Sequence, residues 1–173
     1  MKTKFTLSIG FLVLLALFSF RRGAQLYKVR GSITQTNSYC GGAYMPDQIE
    51  LAKKPVPYPS KTIYVKESDK NSMRLNVIKE FTSDKDGNFE VDLPSGTYCL
   101  LEEYKSKRAS IPRNDKYTTW DSACIINHWK TCDYVLTVWN ENVKNLVINY
   151  HHDCSYSQPC QIYKGPLPPS AAH

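Results

Sequence analysis

Short segments in which apolar and polar residues alternate recur along this chain, each bounded by turn-forming residues. The clearest is NFEVDL at 88–93, where Phe89, Val91 and Leu93 alternate with polar residues. Successive side chains of a strand point to opposite faces, so this pattern predicts strands with one buried face. Seven such segments are predicted: 26–35, 61–67, 75–83, 88–93, 97–104, 134–140 and 145–150. Seven short strands separated by turns are typical of an all-β sandwich.

The N-terminus has the pattern of a secretory signal. A short basic stretch, MKTK, precedes the apolar run FTLSIGFLVLLALFSF at 5–20, which is shorter than the roughly 20 residues that span a bilayer. We therefore predict a signal peptide over 1–24, with secreted or periplasmic localisation and an uncleaved anchor as the alternative. After the signal peptide we predict a β-sandwich domain over 25–150. A Pro-rich C-terminal tail, held by disulfides, is predicted over 151–173.

The charge of the exported part argues against two classes of partner. Without the four basic residues of the signal, 18 basic and 16 acidic residues remain, and no basic run exceeds two residues. Nucleic acid, or a membrane surface beyond the signal segment, is therefore not expected as a partner.

The six cysteines are expected to form disulfides, because an exported domain folds in an oxidising compartment. They are Cys40, Cys99, Cys124, Cys132, Cys154 and Cys160. Loop closure favours the local pairs Cys124–Cys132 and Cys154–Cys160, which would leave Cys40 with Cys99. Pairing of Cys99 with Cys132 is the alternative.

The segment at 82–103 carries two corner motifs. Thr82-Ser83-Asp84-Lys85-Asp86-Gly87-Asn88-Phe89 predicts a tight turn, and Leu93-Pro94-Ser95-Gly96-Thr97-Tyr98 predicts a second. With these motifs, residues 27–104 resemble the carboxypeptidase regulatory-like domain, also called transthyretin-like or prealbumin-like. The resemblance implies a seven-stranded sandwich, with an immunoglobulin-like layout, that serves as an accessory or binding module. The cysteine loops and the PCQIYKGPLPP stretch also resemble a group of exported bacterial proteins, without implying an activity.

Two long connections, 36–60 and 105–133, depart from that family pattern. Long loops held by cysteines are more often functional than disordered. The first is expected to contain a helical turn after Met45-Pro46, and the second a short helix capped by Thr119 or Asp121 and presenting Trp120, Cys124 and His128 on one face. The aromatic residues Tyr39, Tyr44, Trp120 and Trp129 are expected to form a small core beneath these loops, and a ligand-contacting patch is the alternative.

The leading prediction is a non-catalytic module, with no cofactor and no enzymatic activity. It would bind protein or glycan at the cell envelope through the two long loops. The alternative is a metal-binding protein that uses the cluster at 151–160. Thiolate and imidazole are good ligands for zinc or copper, and the candidate ligands are Cys40, His151, His152, Cys154 and Cys160.

Two further resemblances would each imply a chemical reaction of this chain. NYHHDCSYSQPCQIYKGP is similar to the end of transthyretin-like hydrolases acting on 5-hydroxyisourate at Tyr150, His151, Tyr163, Lys164 and Gly165, but the histidine of the first strand is missing. The stretch Gly96–Glu102 is similar to the strand that assists a Lys–Asn cross-link in collagen-binding B-type adhesin domains. The resemblance implies a covalent cross-link between the side chains of Lys28 and Asn149. However, Lys28 alternates with Val29, which places the Lys28 side chain towards solvent if Val29 faces the core.

Overall fold

The computed structural model describes residues 24–166. The predicted signal segment up to residue 23 and the end of the tail, 167–173, lie outside the described residues. Within 24–166, no helix is both long and apolar enough to cross a membrane.

Ten strands and three helices make up the described part of the chain. The strands are β1 (Leu26–Asn37), β2 (Val56–Pro57), β3 (Thr62–Glu67), β4 (Lys79–Thr82), β5 (Asn88–Pro94), β6 (Gly96–Leu101), β7 (Thr118–Trp120), β8 (Tyr134–Val138), β9 (Val143–His152) and β10 (Gln161–Tyr163). The helices are α1 (Pro46–Lys53), α2 (Glu103–Ser106) and α3 (Ser122–Lys130).

The predicted count of seven strands was too low. Each predicted segment contains a strand, but β2, β7 and β10 lie in the long connections and the tail. These three strands are two or three residues long, which is too short to show a period-two pattern.

Two sheets form the sandwich. In the first, β1 pairs with β5 and β2 along one edge and with β9, in parallel, along the other. The second sheet is antiparallel and has the order β4-β3-β6-β8. A separate ribbon of β7 and β10 joins the second long loop to the tail.

The core lies between these two sheets, where the alternating residues predicted it. Val29 and Ile33 of β1 and Leu93 of β5 are almost completely buried. They pack in one cluster with Tyr98 and Leu100 of β6 in the opposite sheet. The strand-rich fold is therefore consistent with the predicted β-sandwich.

The predicted turn at 84–88 connects the two sheets. The Asp84 carboxylate accepts backbone N–H bonds from Asp86 and Asn88 at 2.9 and 2.8 Å. Gly87 has φ +79°, a left-handed conformation that glycine adopts without a steric penalty. Its carbonyl accepts the backbone N–H of Ile33 at 2.7 Å, so the turn is tied to β1.

The second long loop packs on the outer face of the second sheet. Its central contact is the buried amide of Asn71, which donates to the backbone carbonyls of Lys105 and Trp129 at 2.7 and 3.0 Å. The same amide accepts a hydrogen bond from the buried Lys66 ammonium at 2.9 Å. Lys105, also buried, pairs with Asp133 at 2.6 Å. Through Asn71, the network links Lys66 of β3 to the second long loop.

All six cysteines form disulfides, in the pairs Cys40–Cys154, Cys99–Cys132 and Cys124–Cys160. The predicted local pairs Cys124–Cys132 and Cys154–Cys160, and with them Cys40–Cys99, are wrong. The alternative Cys99–Cys132 is correct. Loop-closure entropy favoured short loops, but the parallel pairing of β1 with β9 brings the ends of those strands, and thus Cys40 and Cys154, together.

Candidate functional site

A cavity of about 480 Å³ opens at one end of the sandwich. Glu102 directly follows β6, Asp133 directly precedes β8, and Tyr150 lies near the end of β9. The second long loop and the tail form the remaining walls, and they contribute Trp120, Ile125, His128, Trp129, Asp153 and Pro159 among other residues. The volume lies in the range of small-molecule sites.

The predicted loop helix forms one of these walls. The Asp121 carboxylate caps α3 by accepting the backbone N–H of Cys124 at 3.0 Å, so Asp121 and not Thr119 is the cap. Trp120, Cys124 and His128 were predicted to share one face of this helix. That prediction is wrong for Trp120, which lies in β7 before the helix begins. The bond from Cys124 to Cys160 ties this helix to the opposite wall.

The Tyr150 hydroxyl has an unusual environment. The side chain is 8% exposed, and its oxygen is buried without a hydrogen-bond partner among residues 24–166. Burial raises the pKa of the phenol well above its ordinary value, and the charges of Asp133 and Glu102 raise it further. The phenol therefore stays protonated and retains both a donor and an acceptor site.

The two carboxylates near Tyr150 are held in place by lysines. Glu102 pairs with Lys61, whose ammonium also lies 4.8 Å from the centre of the Tyr150 ring. Asp133 pairs with Lys105 and accepts the backbone N–H of Glu102 at 2.7 Å. Neither lysine lines the cavity, and no Lys or Arg is among the described residues that do. The cavity therefore presents fixed carboxylate acceptors to a ligand.

Three histidines line the cavity: His128, His151 and His152. His128 lies 3.1 Å from the Tyr104 hydroxyl, and burial lowers the pKa of its imidazole. The two nitrogens of His151 lie 3.0 Å from the hydroxyls of Thr36 and Ser38, respectively. These hydrogen bonds hold the imidazole rings of His128 and His151 in fixed orientations in the walls of the cavity.

The predicted aromatic residues separate into two groups. Trp120 and Trp129 line the cavity. Trp129 is buried and donates its indole N–H to the Lys107 carbonyl at 2.8 Å, so it also supports the loop. Tyr39 and Tyr44 lie in the first long loop and are not among the lining residues of the cavity, and Tyr44 is 78% exposed.

The metal alternative does not agree with the sulfur chemistry. Cys40, Cys154 and Cys160 are disulfide-bonded, and a disulfide sulfur is not a thiolate ligand. The two remaining candidates, His151 and His152, have other hydrogen-bond partners. Within residues 24–166, no group of three or more His, Cys, Asp or Glu side chains is placed to hold a metal ion.

The residues of the cross-link resemblance are not brought together. Lys28 pairs with Glu90 on the outer face of the first sheet. Asn149 lies opposite Thr34, six positions further along β1, and bonds to its hydroxyl at 2.9 Å. Glu102 pairs with Lys61 instead. The structure therefore does not bring Lys28 and Asn149 together, in agreement with the predicted outward orientation of Lys28.

The residues of the hydrolase resemblance are also divided. Tyr150 and His151 line the cavity, whereas Tyr163, Lys164 and Gly165 do not. Tyr163 lies in β10, and its hydroxyl donates to the Pro166 carbonyl at 3.2 Å.

Sequence reasoning did not single out Tyr104 or Asp133 as site residues. Both lie next to the ends of strands or helices, where no local pattern distinguishes them. Tyr150 was named only through the hydrolase resemblance. The signal that would have marked Asp133 is its position between Cys132 and a β-strand, since a disulfide there fixes the backbone.

A second, more open depression of about 740 Å³ lies on the outer face of the first sheet. Its charged groups already have partners, because Glu90 pairs with Arg30 and the Asp84 carboxylate accepts backbone N–H bonds from its own turn. We therefore take the end cavity as the candidate site.

Comparison with known proteins identifies no family. No protein-family model matches the sequence, and no curated protein matches it. A solved structure described as the Bacillus anthracis TIE protein is similar at 12% identity and a TM-score of 0.31. The similarity covers 73% of this chain and 17% of that chain. The resemblance to the carboxypeptidase regulatory-like domain is therefore not confirmed.

Proposed function

We propose that this protein is an exported, non-catalytic binding module of the carboxypeptidase regulatory-like type that takes a glycan into the end cavity. The observation that carries the proposal is the cavity itself, with Trp120 and Tyr104 beside the fixed carboxylates of Glu102 and Asp133. Aromatic rings pack against the apolar face of a sugar ring, while carboxylates accept hydrogen bonds from its hydroxyls.

The setting agrees with this role. Three disulfides indicate an oxidising, extracellular environment, where glycans of the cell envelope are accessible. Two of the disulfides join the tail to the first and second long loops, and the third joins the second loop to β6. A rigid cavity loses little conformational entropy on binding, which favours recognition of a small, polar ligand.

The test uses Trp120→Ala, with Trp139→Ala as its matched control. Trp139 is 71% exposed and lies in the turn between β8 and β9, away from the cavity. Binding to an array of neutral, acidic and amino oligosaccharides is measured for both variants. Binding that falls at least tenfold in W120A and is unchanged in W139A supports the proposal. Equal loss in both variants, or no binding to any glycan, would refute it.

A protein partner is the second candidate, and the first long loop favours it. Helix α1 buries no residue, and Tyr44, Met45 and Leu51 around it are exposed. Exposed apolar residues grouped in this way are typical of interaction surfaces. Binding of the purified protein to cells of the source organism separates the two candidates. Protease treatment of the cells, or Tyr44→Ala, would abolish binding to a protein and leave glycan binding intact.

A further inference from the structure

We infer that the peptide bond between Arg108 and Ala109 is a processing site. An arginine-specific protease cuts this bond and converts the protein into two chains that disulfides hold together. The inference goes beyond the proposed function, because it holds whatever ligand the end cavity takes.

The first argument is the freedom of the backbone around this bond. Residues 108–113 lie in neither a helix nor a strand, and none of them forms a hydrogen bond or an ion pair with another described residue. Five of the six are exposed, and Ala109 is half-buried. Exposed segments without backbone hydrogen bonds are preferred sites of proteolysis, because they can enter a protease in an extended conformation. This segment can therefore be cut without unfolding of the sandwich.

The second argument is the side chain that a protease would recognise. Arg108 is exposed and has no carboxylate partner among residues 24–166. Proteases that cut after arginine hold its guanidinium against a carboxylate in a pocket, so a free arginine suits them. Arg30 is less suitable because it lies in β1 and pairs with Glu90. Arg74 lies in a turn, where its backbone N–H donates to the Ser72 hydroxyl at 3.2 Å.

Arg113, at the other end of the free segment, is followed by a fixed turn. The Asn114 side chain accepts the backbone N–H of Trp120 at 3.1 Å. The backbone N–H of Asp115 donates to the Thr118 carbonyl at 3.0 Å. The residues after a cut bond must also enter the protease, and those that follow Arg113 are held in place. The bond after Arg108 is therefore the favoured one.

The third argument is what holds the two products together. The disulfides Cys40–Cys154 and Cys99–Cys132 both join a residue before the cut to a residue after it. Strand β1 pairs with β9, and β6 with β8, across the same division of the chain. The cut protein therefore keeps its sandwich as two linked chains.

Cleavage at this bond changes the end cavity, because Ala109, Ser110 and Pro112 line it. Hydrolysis adds one water, which leaves a carboxylate on Arg108 and an amino group on Ala109. An α-amino group has a pKa near about 8 and is mostly protonated at neutral pH. Processing thus frees one end of the wall and adds a positive charge to a lining that has no Lys or Arg among its described residues.

The first experiment is limited digestion of the disulfide-bonded protein with endoproteinase Arg-C, followed by intact mass before and after reduction. We expect the mass of the unreduced protein to increase by one water. Reduction should then release two chains, one of which begins at Ala109. The melting temperature of the cut protein should stay within about 3 °C of that of the intact protein, because the free segment contributes no hydrogen bond.

Arg108→Gln tests the assignment of the bond, and Arg74→Gln and Arg113→Gln are its matched controls. In R108Q, the first cleavage should be slower by about tenfold or more, because the remaining arginines become accessible only after local unfolding. The two control variants should be cut at the rate of the wild type. First cleavage after Arg74 or Arg113, or unfolding of the protein when it is cut, would overturn the inference.

A second measurement distinguishes processing in the cell from susceptibility to an added protease. The protein is isolated from cultures of the source organism, reduced, and sequenced from its N-termini. We expect a chain that begins at Ala109. A single uncut chain in that material would overturn the processing role.

The effect on the cavity is measured with Trp129, whose indole N–H donates to the Lys107 carbonyl at 2.8 Å, next to the cut bond. In a ¹⁵N-labelled protein, cleavage should shift the indole signal of Trp129 and leave that of the exposed Trp139 unchanged. An unchanged Trp129 signal after complete cleavage would overturn the link between processing and the cavity.

Discussion

The side-chain amide of Asn71 donates to the backbone carbonyl of Trp129 at 3.0 Å, joining the connection after β3 to the end of α3. The two residues are 58 positions apart in the chain. Since Trp129 and α3 form a wall of the end cavity, this buried bond links the sandwich to the candidate site. The shape of the cavity thus depends on a polar contact outside the main core.

Asn71→Ala should therefore destabilise the protein strongly. It removes two donors to buried carbonyls and the main acceptor of the buried Lys66 ammonium, so unpaired polar groups remain. We expect a decrease of about 2–4 kcal/mol in the free energy of unfolding, measured by urea denaturation. Asn76→Ala, at an exposed position, should change it by less than about 0.5 kcal/mol. Equal effects of both substitutions would contradict the role of the network.

Gly87→Ala should destabilise the turn between β4 and β5. A Cβ at Gly87 would meet the Ile33 carbonyl oxygen at 2.6 Å, and the positive φ adds strain. We expect a loss of about 2 kcal/mol or more in thermal or urea unfolding. Gly42→Ala is the matched control, because a Cβ there has no neighbour within 4 Å. A G87A protein as stable as G42A would show that this turn is not the strained element described.

The disulfide between β6 and the start of β8 should contribute substantially to stability. Cys99 and Cys132 are 33 positions apart, and a loop of that length corresponds to about 4 kcal/mol in the chain-entropy treatment. Cys99→Ala combined with Cys132→Ala should lower the free energy of unfolding by about that amount.

Peptide mapping without reduction should recover the three pairs, with no thiol alkylated. Recovery of a Cys124–Cys132 peptide would contradict the pairing.

His128 should make stability depend on pH. Burial lowers the pKa of His128 below 6.5, and the charge of Lys105 lowers it further, whereas Asp133 and Glu102 oppose the shift. The unfolded chain therefore binds the proton more readily between the two pKa values. The contribution of the neutral His128 imidazole to the free energy of unfolding is therefore complete above about pH 6.5. It is lost as the pH falls through the pKa of His128 in the folded protein. An NMR titration should place the His128 midpoint below 6.5, and a midpoint above that value would contradict the assignment.

The sequence predicted the sandwich better than the site. Alternation identified the buried residues of β1, β5 and β6 because the period-two pattern is local. The pairs Cys40–Cys154 and Cys124–Cys160 were missed because they depend on which segments become neighbours in the fold. Cys40 meets Cys154 only after β1 and β9 pair in parallel. The cavity was missed for the same reason, since its carboxylates come from different strand ends. Trp120 and Trp129, which line the cavity, were named from the sequence because they are aromatic residues of a long loop that contains cysteines.

The most direct test of the account uses the three tryptophan side chains as reporters. In a ¹⁵N-labelled protein, the indole N–H signals of Trp120, Trp129 and Trp139 are followed during titration with the oligosaccharide that binds best on the array. Trp120 lines the cavity, whereas Trp139 is exposed at the β8–β9 turn. We predict a saturable shift of the Trp120 signal with no shift of Trp139. A shift of Trp139 alone, or saturable binding that leaves Trp120 unchanged, would contradict the glycan site in the end cavity.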